Sequence, residues 1–167
     1  MKENKYLFNS DNEKIYVETY IPDNVVQTII FCHGITGCRK GRTMDDSYFQ
    51  TLAQRLMQND FKVVLFDFSG HGESEGNDYD VTLSKSVSEL KLVFASEVLD
   101  KDHVSFLAFS YGAAVLCKFL SENKDINPNK IVTCTSRLVE CIYYLLEIVC
   151  NNLIDSALLQ TQVTLIL

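Results

Sequence analysis

The chain has 167 residues, 47% of them hydrophobic, and only two prolines, which is enough to bury one core and too little for two ordinary domains. Its formal charge of -7 excludes a binder of the phosphate backbone, because nucleic-acid affinity rests on clustered Lys and Arg. Residues 1–5 (MKENK) lack the apolar core of a secretory signal, and the six cysteines (Cys32, Cys38, Cys117, Cys134, Cys141 and Cys150) show no CxxC spacing, so reduced, packed thiols in a cytoplasmic protein are expected rather than export.

In chain order, residues 6–8, the polar turn 9–12 and residues 14–21 read as a hairpin. In its second arm Ile15, Val17, Thr19 and Ile21 alternate with Tyr16, Glu18 and Tyr20, the pattern of a half-exposed antiparallel edge. Residues 28–32, 63–66 and 104–109 are nearly continuous in apolar side chains, as strands covered on both faces are. Between them Phe49, Leu52, Ala53, Leu56 and Met57, and then Leu83, Val87, Leu90, Phe94 and Val98, follow the three-and-four spacing of amphipathic helices. Asp45 or Asp46 is placed to cap the first and Thr82 the second. Residues 113–120 continue as a third helix and residues 130–135, after Asn127-Pro128-Asn129, as a further strand. Strands alternating with helices imply right-handed crossovers and a parallel sheet. Residues 138–149 suit a helix and 163–167 a short strand. The apolar stretch 153–167 is interrupted by Asn, Asp and Gln and falls short of a bilayer span, so no membrane span is expected.

Chemistry concentrates at Ala108-Phe109-Ser110-Tyr111-Gly112, between a buried-strand pattern and a helical one. A sharp strand-to-helix turn there lifts a serine hydroxyl out of the sheet, and small residues two positions either side let the backbone pass its neighbours. Ala108 stands where a first glycine is usual, which narrows the turn's freedom slightly. The same pentapeptide also fits a serine at an ordinary helix N-cap. His33-Gly34-Ile35-Thr36-Gly37 follows the first buried strand and Asp67-Phe68-Ser69-Gly70-His71-Gly72-Glu73-Ser74 the next. The basic run Gly37-Cys38-Arg39-Lys40-Gly41-Arg42 reads as a solvated loop able to attract acidic groups, with cations that would lower the Cys38 pKa. His103 precedes the third buried strand and so belongs at the end of the sheet away from Ser110.

Three motifs in this order, each at a strand's C-terminal end, resemble the α/β-hydrolase superfamily over residues 14–132. The wording FDFSGHGESEG is most similar to its serine aminopeptidase S33, monoacylglycerol-lipase and feruloyl-esterase-like branch. The resemblance implies a mostly parallel sheet with helices on both faces. It makes Ser110 the nucleophile and the backbone N–H groups of Ile35 and Tyr111 the oxyanion hole. His33, Gly34, Asp67, Gly70, His71, Gly72 and Gly112 become supporting motif residues, the two histidines holding loops rather than serving as the base. It implies a small acyl substrate and neither metal nor cofactor.

In this family an acid and then a histidine follow the serine. All three histidines here precede Ser110, and Asp155 is the only aspartate after the sixth strand. The expectation is a catalytically incomplete chain: an N-terminal hydrolase portion over residues 1–137, truncated after about the sixth strand, with an atypical apolar tail over 138–167 replacing the rest. The change of character falls near Ser136, and a sheet ending there would expose an edge through which copies could associate. A non-catalytic binding protein on the same fold is the alternative. A dinucleotide-binding doubly wound protein shares the alternation but needs GxGxxG after the first buried strand, which is absent.

Overall fold

The computed structural model describes residues 1–134 apart from 42–44, 46 and 102. Six strands, β1 (Lys2–Phe8), β2 (Lys14–Tyr20), β3 (Gln27–Cys32), β4 (Phe61–Phe66), β5 (Val104–Phe109) and β6 (Lys130–Cys134), form one sheet in the order β1-β2-β4-β3-β5-β6. The hairpin pairs antiparallel and β2 lies antiparallel to β4, whereas β3, β4, β5 and β6 are mutually parallel. Helices α1 (Tyr48–Met57), α2 (Leu83–Glu97) and α3 (Tyr111–Glu122) supply the crossovers.

Both faces of the parallel strands are covered, which is why they read as unbroken apolar runs. Ile30, Cys32, Val64, Phe66 and Phe106 pack with α2 and α3 in one core, while Phe31, Val63 and Leu65 pack with Phe49 and Ala53 of α1 in another. Successive residues of one strand enter opposite cores, as the two-residue period of a strand requires.

Strand β2 departs from the half-exposed edge that its alternation suggested. Residues 15–20 are all buried, because β1 covers one edge of the strand, β4 the other, and both cores reach its faces. Its polar residues are held by partners rather than by water: Glu18 accepts from Tyr20 Oη at 2.6 Å, and Thr19 Oγ1 donates to Glu97 at 3.4 Å. On the hairpin side the edge strand is β1, which is mostly exposed. Helix α1 starts from Ser47 without a side-chain cap, and Asp45 does not serve as one; the carbonyl of Lys40 instead accepts the Phe49 N–H at 3.3 Å. Thr82 caps α2 as expected, accepting from Lys85 N at 3.2 Å. Asp46, Thr135, the helix and strand anticipated at 138–149 and 163–167, Asp155, and the division near residue 137 lie outside the described residues. Among the described residues no helix is long and apolar enough to cross a membrane. Cys32, Cys38 and Cys117 are buried and Cys134 exposed, and none of the four is in a disulfide.

The first turn of α3 passes directly over the end of β3. A Cβ on Gly112 would stand 2.3 Å from the Cys32 carbonyl oxygen and 2.6 Å from that of His33, both backbone atoms with nowhere to go. Gly112→Ala is therefore expected to lower stability by about 1–3 kcal/mol, as overpacking does, and chemical denaturation measures it; an unchanged midpoint would show that the helix can lift away freely. At the other end of the sheet Glu97 ties α2 to β1 and β4 through Lys5 and, at 3.0 Å, Lys62. Burial raises its carboxyl pKa, but the two lysines outweigh burial and hold it below the ordinary 4.5. A depressed folded pKa contributes stability that is fully present above the ordinary value and is lost as pH falls through the folded one. Glu97→Gln should thus cost more stability at pH 7 than at pH 3 in urea titrations; equal losses at both would contradict the ion-pair account.

Candidate active site

Strand β5 ends at Phe109 and α3 begins at Tyr111, so Ser110 alone makes the bend. Its φ of 47° and ψ of -116° place a non-glycine residue in left-handed territory. Such conformations cost on the order of 1–3 kcal/mol and persist only where the surroundings over-determine them. Here Ser110 N donates to the Cys134 carbonyl at 2.9 Å, and the Ser110 carbonyl accepts from Ala113 N at 2.9 Å. Ala108, fully buried, pairs with Cys32 on one side and Thr133 on the other. A serine capping a helix in the ordinary way has extended backbone and accepts from an N–H of the first turn. Ser110 does neither, and it is exposed.

Loop 33–41 lies against this bend. A Cβ on Gly34 would approach Ser110 Cβ to 3.3 Å and the Phe109 carbonyl to 3.5 Å, so a side chain there would press on the serine. The Gly34 carbonyl accepts from Gly37 N at 2.9 Å and faces His33 Nδ1 at 2.7 Å. The peptide joining Gly34 to Ile35 is trans, so the Ile35 N–H points away from that doubly held oxygen. His33 Nε2 accepts the Phe68 N–H at 3.0 Å. A backbone N–H can only donate, so the ring proton resides on Nδ1 and His33 is neutral. Burial pushes its pKa down to about 3, which agrees with that assignment.

Loop 67–74 forms the opposite wall. Asp67, fully buried, accepts from Arg39 N and Arg39 Nη1, each at 2.6 Å, and from Glu73 N at 2.9 Å. Burial raises the pKa of this carboxyl above its ordinary value, and the Arg39 and Glu73 donors offset only part of that rise; the partners around it are all donors, as an ionised carboxylate requires. Gly72, at φ 56°, is where the chain wraps around that carboxylate: a Cβ there would stand 2.2 Å from Asp67 Oδ2. His71 places Nδ1 3.0 Å from the Ser69 carbonyl and Nε2 against the Ile35 carbonyl. Ser74 Oγ donates to the Asp67 carbonyl at 2.6 Å and accepts from Tyr16 N at 2.8 Å, fastening the loop to β2.

Both ring nitrogens of His33 and of His71 therefore face backbone groups, leaving neither ring a nitrogen for the serine hydroxyl. His103 lies at the start of β5, exposed and 2.8 Å from Asp100, at the far end of the sheet. Tyr111, which opens α3, is half-buried against Phe68 with its hydroxyl 3.0 Å from Ser86 Oγ. Two readings of the basic run are corrected. Arg39 is 3% exposed rather than solvated, lies over the Tyr16 ring at 4.1 Å, and reaches Glu18 at 3.3 Å, Asp67 and Glu73. Cys38 is buried too, and burial pushes its thiol pKa up, opposite to the lowering its neighbours suggested. Sequence reasoning missed Glu18, Tyr16 and Glu73 as members of this network. The available signal was a carboxylate flanked by Val17 and Thr19 in a strand rich in β-branched and aromatic residues, because such a charge must have a partner once the strand is buried. No group of three potential metal ligands occurs among the described residues.

Comparison with known proteins adds to this geometry. The family described as serine aminopeptidase, S33, matches residues 23–155. No curated protein matches. Among solved structures, an esterase of Exiguobacterium antarcticum is similar at 21% identity and a TM-score of 0.66, over 82% of this chain and 47% of its own. The Pyrococcus furiosus esterase Pf2001 is similar at 25% identity and a TM-score of 0.61, over 79% and 51%. A proline iminopeptidase of Mycobacterium smegmatis is similar at 18% identity and a TM-score of 0.62, over 80% and 44%. The chain thus spans about half the length of the structures it matches. With the family match covering most of its length, the chain belongs to the serine aminopeptidase S33 family and has the α/β-hydrolase fold.

Proposed function

We propose that this chain carries the nucleophile and the oxyanion-binding half of a serine hydrolase acting on carboxylic esters or small acyl compounds. The observation that carries the reading is the strained, exposed Ser110 at a one-residue bend, directly beside Gly34. In this reading Ser110 Oγ attacks the acyl carbonyl carbon, its proton passes to a base, and the carbonyl electron pair moves onto oxygen. The backbone N–H groups of Ile35 and Tyr111 receive that oxyanion, and collapse expels the alcohol or amine, which takes up a proton. Donors held in place before charge develops are the largest single contribution in such sites, about 3–4 kcal/mol for each. Tyr111 stands in the first turn of α3, where the helix dipole adds a favourable partial charge. The esterase and iminopeptidase neighbours fit acyl chemistry of this kind. Buried cysteines outside any disulfide at Cys32, Cys38 and Cys117 fit a reducing, cytoplasmic setting.

The proton acceptor is the weak point of the machinery. A serine hydroxyl depends on an adjacent imidazole, and both imidazoles in the loops beside Ser110, those of His33 and His71, are engaged by backbone groups. This favours a second reading, a binding protein that keeps the fold and the oxyanion pocket without turnover. A fluorophosphonate probe separates the two, because it reports on the nucleophile rather than on a completed cycle. Covalent labelling of the wild-type chain that disappears in Ser110→Ala, with ester turnover no more than about 10³–10⁴ above water, is the expected result. Absence of labelling in the folded wild-type chain would leave the binding reading in its place.

A further inference from the structure

Among the described residues Arg39, within loop 33–41, is the one buried Lys or Arg, and the reaction scheme above gives it no task. Its guanidinium meets a different carboxylate with each nitrogen: Nε reaches Glu18 of β2 at 3.3 Å, Nη1 reaches Asp67 at the end of β4 at 2.6 Å, and Nη2 reaches Glu73 in loop 67–74 at 2.6 Å. Its own backbone N–H donates to the second Asp67 oxygen at 2.6 Å. The residue is thereby fixed at main chain and side chain at once, between a strand and a loop that belong to other parts of the chain.

Four residues before it stands Ile35, and two tight turns take up the interval. Gly37 N closes one on the Gly34 carbonyl at 2.9 Å; Cys38 and Gly41 exchange a reciprocal pair of bonds at 2.9 and 3.0 Å in the other. A Cβ on Gly37 would stand 2.8 Å from the Gly41 carbonyl, so the turns are packed on each other and have little freedom to shift separately. His71 of loop 67–74 also faces the Ile35 carbonyl. Loop 33–41 is therefore clamped to loop 67–74 at three points: at His33, where it leaves β3, at Ile35 within its first turn and at Arg39 within its second.

We propose that Arg39 is a positioning residue for the oxyanion site: by locking loop 33–41 onto Asp67, Glu73 and Glu18 it sets where the Ile35 N–H stands relative to Ser110. The role needs a planar fork that can address three carboxylates at once, which a lysine ammonium cannot do. The inference rests on the proposed use of Ile35 and Ser110, and it deepens that reading rather than replacing it.

The test uses the full chain in three forms, wild type, Arg39→Lys and Glu73→Gln, the last removing only the half-exposed outer carboxylate so that a folded variant is at hand. Two quantities are read below the melting temperature of each: the kinetics of Ser110 labelling by a fluorophosphonate, and amide hydrogen exchange at residues 34–37 and in β5. A misplacement of the donor should lower the maximal labelling rate about 10-fold or more in Arg39→Lys, with a smaller loss in Glu73→Gln, and leave the half-saturating probe concentration within about twofold. Exchange should quicken at 34–37 while β5 stays protected. Labelling that keeps its maximal rate in both folded variants overturns the proposal. So does exchange that rises equally in loop and strand, since that marks general loosening. If the wild-type chain takes no label, the serine-hydrolase reading fails by itself; the positioning claim is then decided by exchange, and an unchanged loop in Glu73→Gln and Arg39→Lys refutes it.

Discussion

The constraint on which this architecture turns is the contact between the first turn of α3 and the end of β3. Because Gly112 has no side chain, the helix comes down onto the carbonyls of Cys32 and His33. That approach leaves one residue in which to change from strand to helix, and the residue in the gap takes a backbone conformation that an L side chain avoids. The exposed hydroxyl of Ser110 is thus a consequence of helix-on-sheet packing. The same closeness sets Gly34 beside it, for a loop leaving β3 under α3 must pass the bend, and a Cβ at Gly34 would meet Ser110.

Around this bend the protein builds its polar interior from backbone groups more than from side-chain pairs. His33 spans two loops by accepting from Phe68 N and donating to the Gly34 carbonyl, so its tautomer is dictated on both sides. Asp67 does the same from beneath, taking two main-chain N–H groups and a guanidinium. Burying Arg39 among carboxylates is costly unless each charge is met by hydrogen bonds. Here each is: Glu18 also takes the Tyr20 hydroxyl and Gln50, and although burial raises its pKa, these bonds and Lys2 hold it below the ordinary value.

Much of this was legible from residue order, and the boundary of legibility is physical. Strands β3, β4 and β5 stood out because two-sided burial forbids polar residues in them, and the glycines at 34, 70, 72 and 112 fell in ordered motifs whose spacing a bend and two wrapped loops require. Thr82 was readable because capping is local. Strand β2 was misread since Glu18 and Thr19 look solvated until their partners, 21 and 78 residues away in Arg39 and Glu97, are known. Arg39 was misread for the mirror-image reason: a cation in a glycine-flanked run looks free when the carboxylates that claim it lie 28 and 34 residues further on. The start of α1 escaped a side-chain rule because a carbonyl, that of Lys40, does the capping.

The division between backbone and side-chain groups also explains how two functional readings can share one geometry. The bend and its two loops are shaped by main-chain bonds and by buried side chains already committed to them, His33 and Asp67 on main-chain groups and Arg39 on carboxylates. The proton acceptor is different in kind: it must be a side chain left uncommitted, and the structure commits both nearby imidazoles to loop construction. Only the fate of the serine proton distinguishes the two readings.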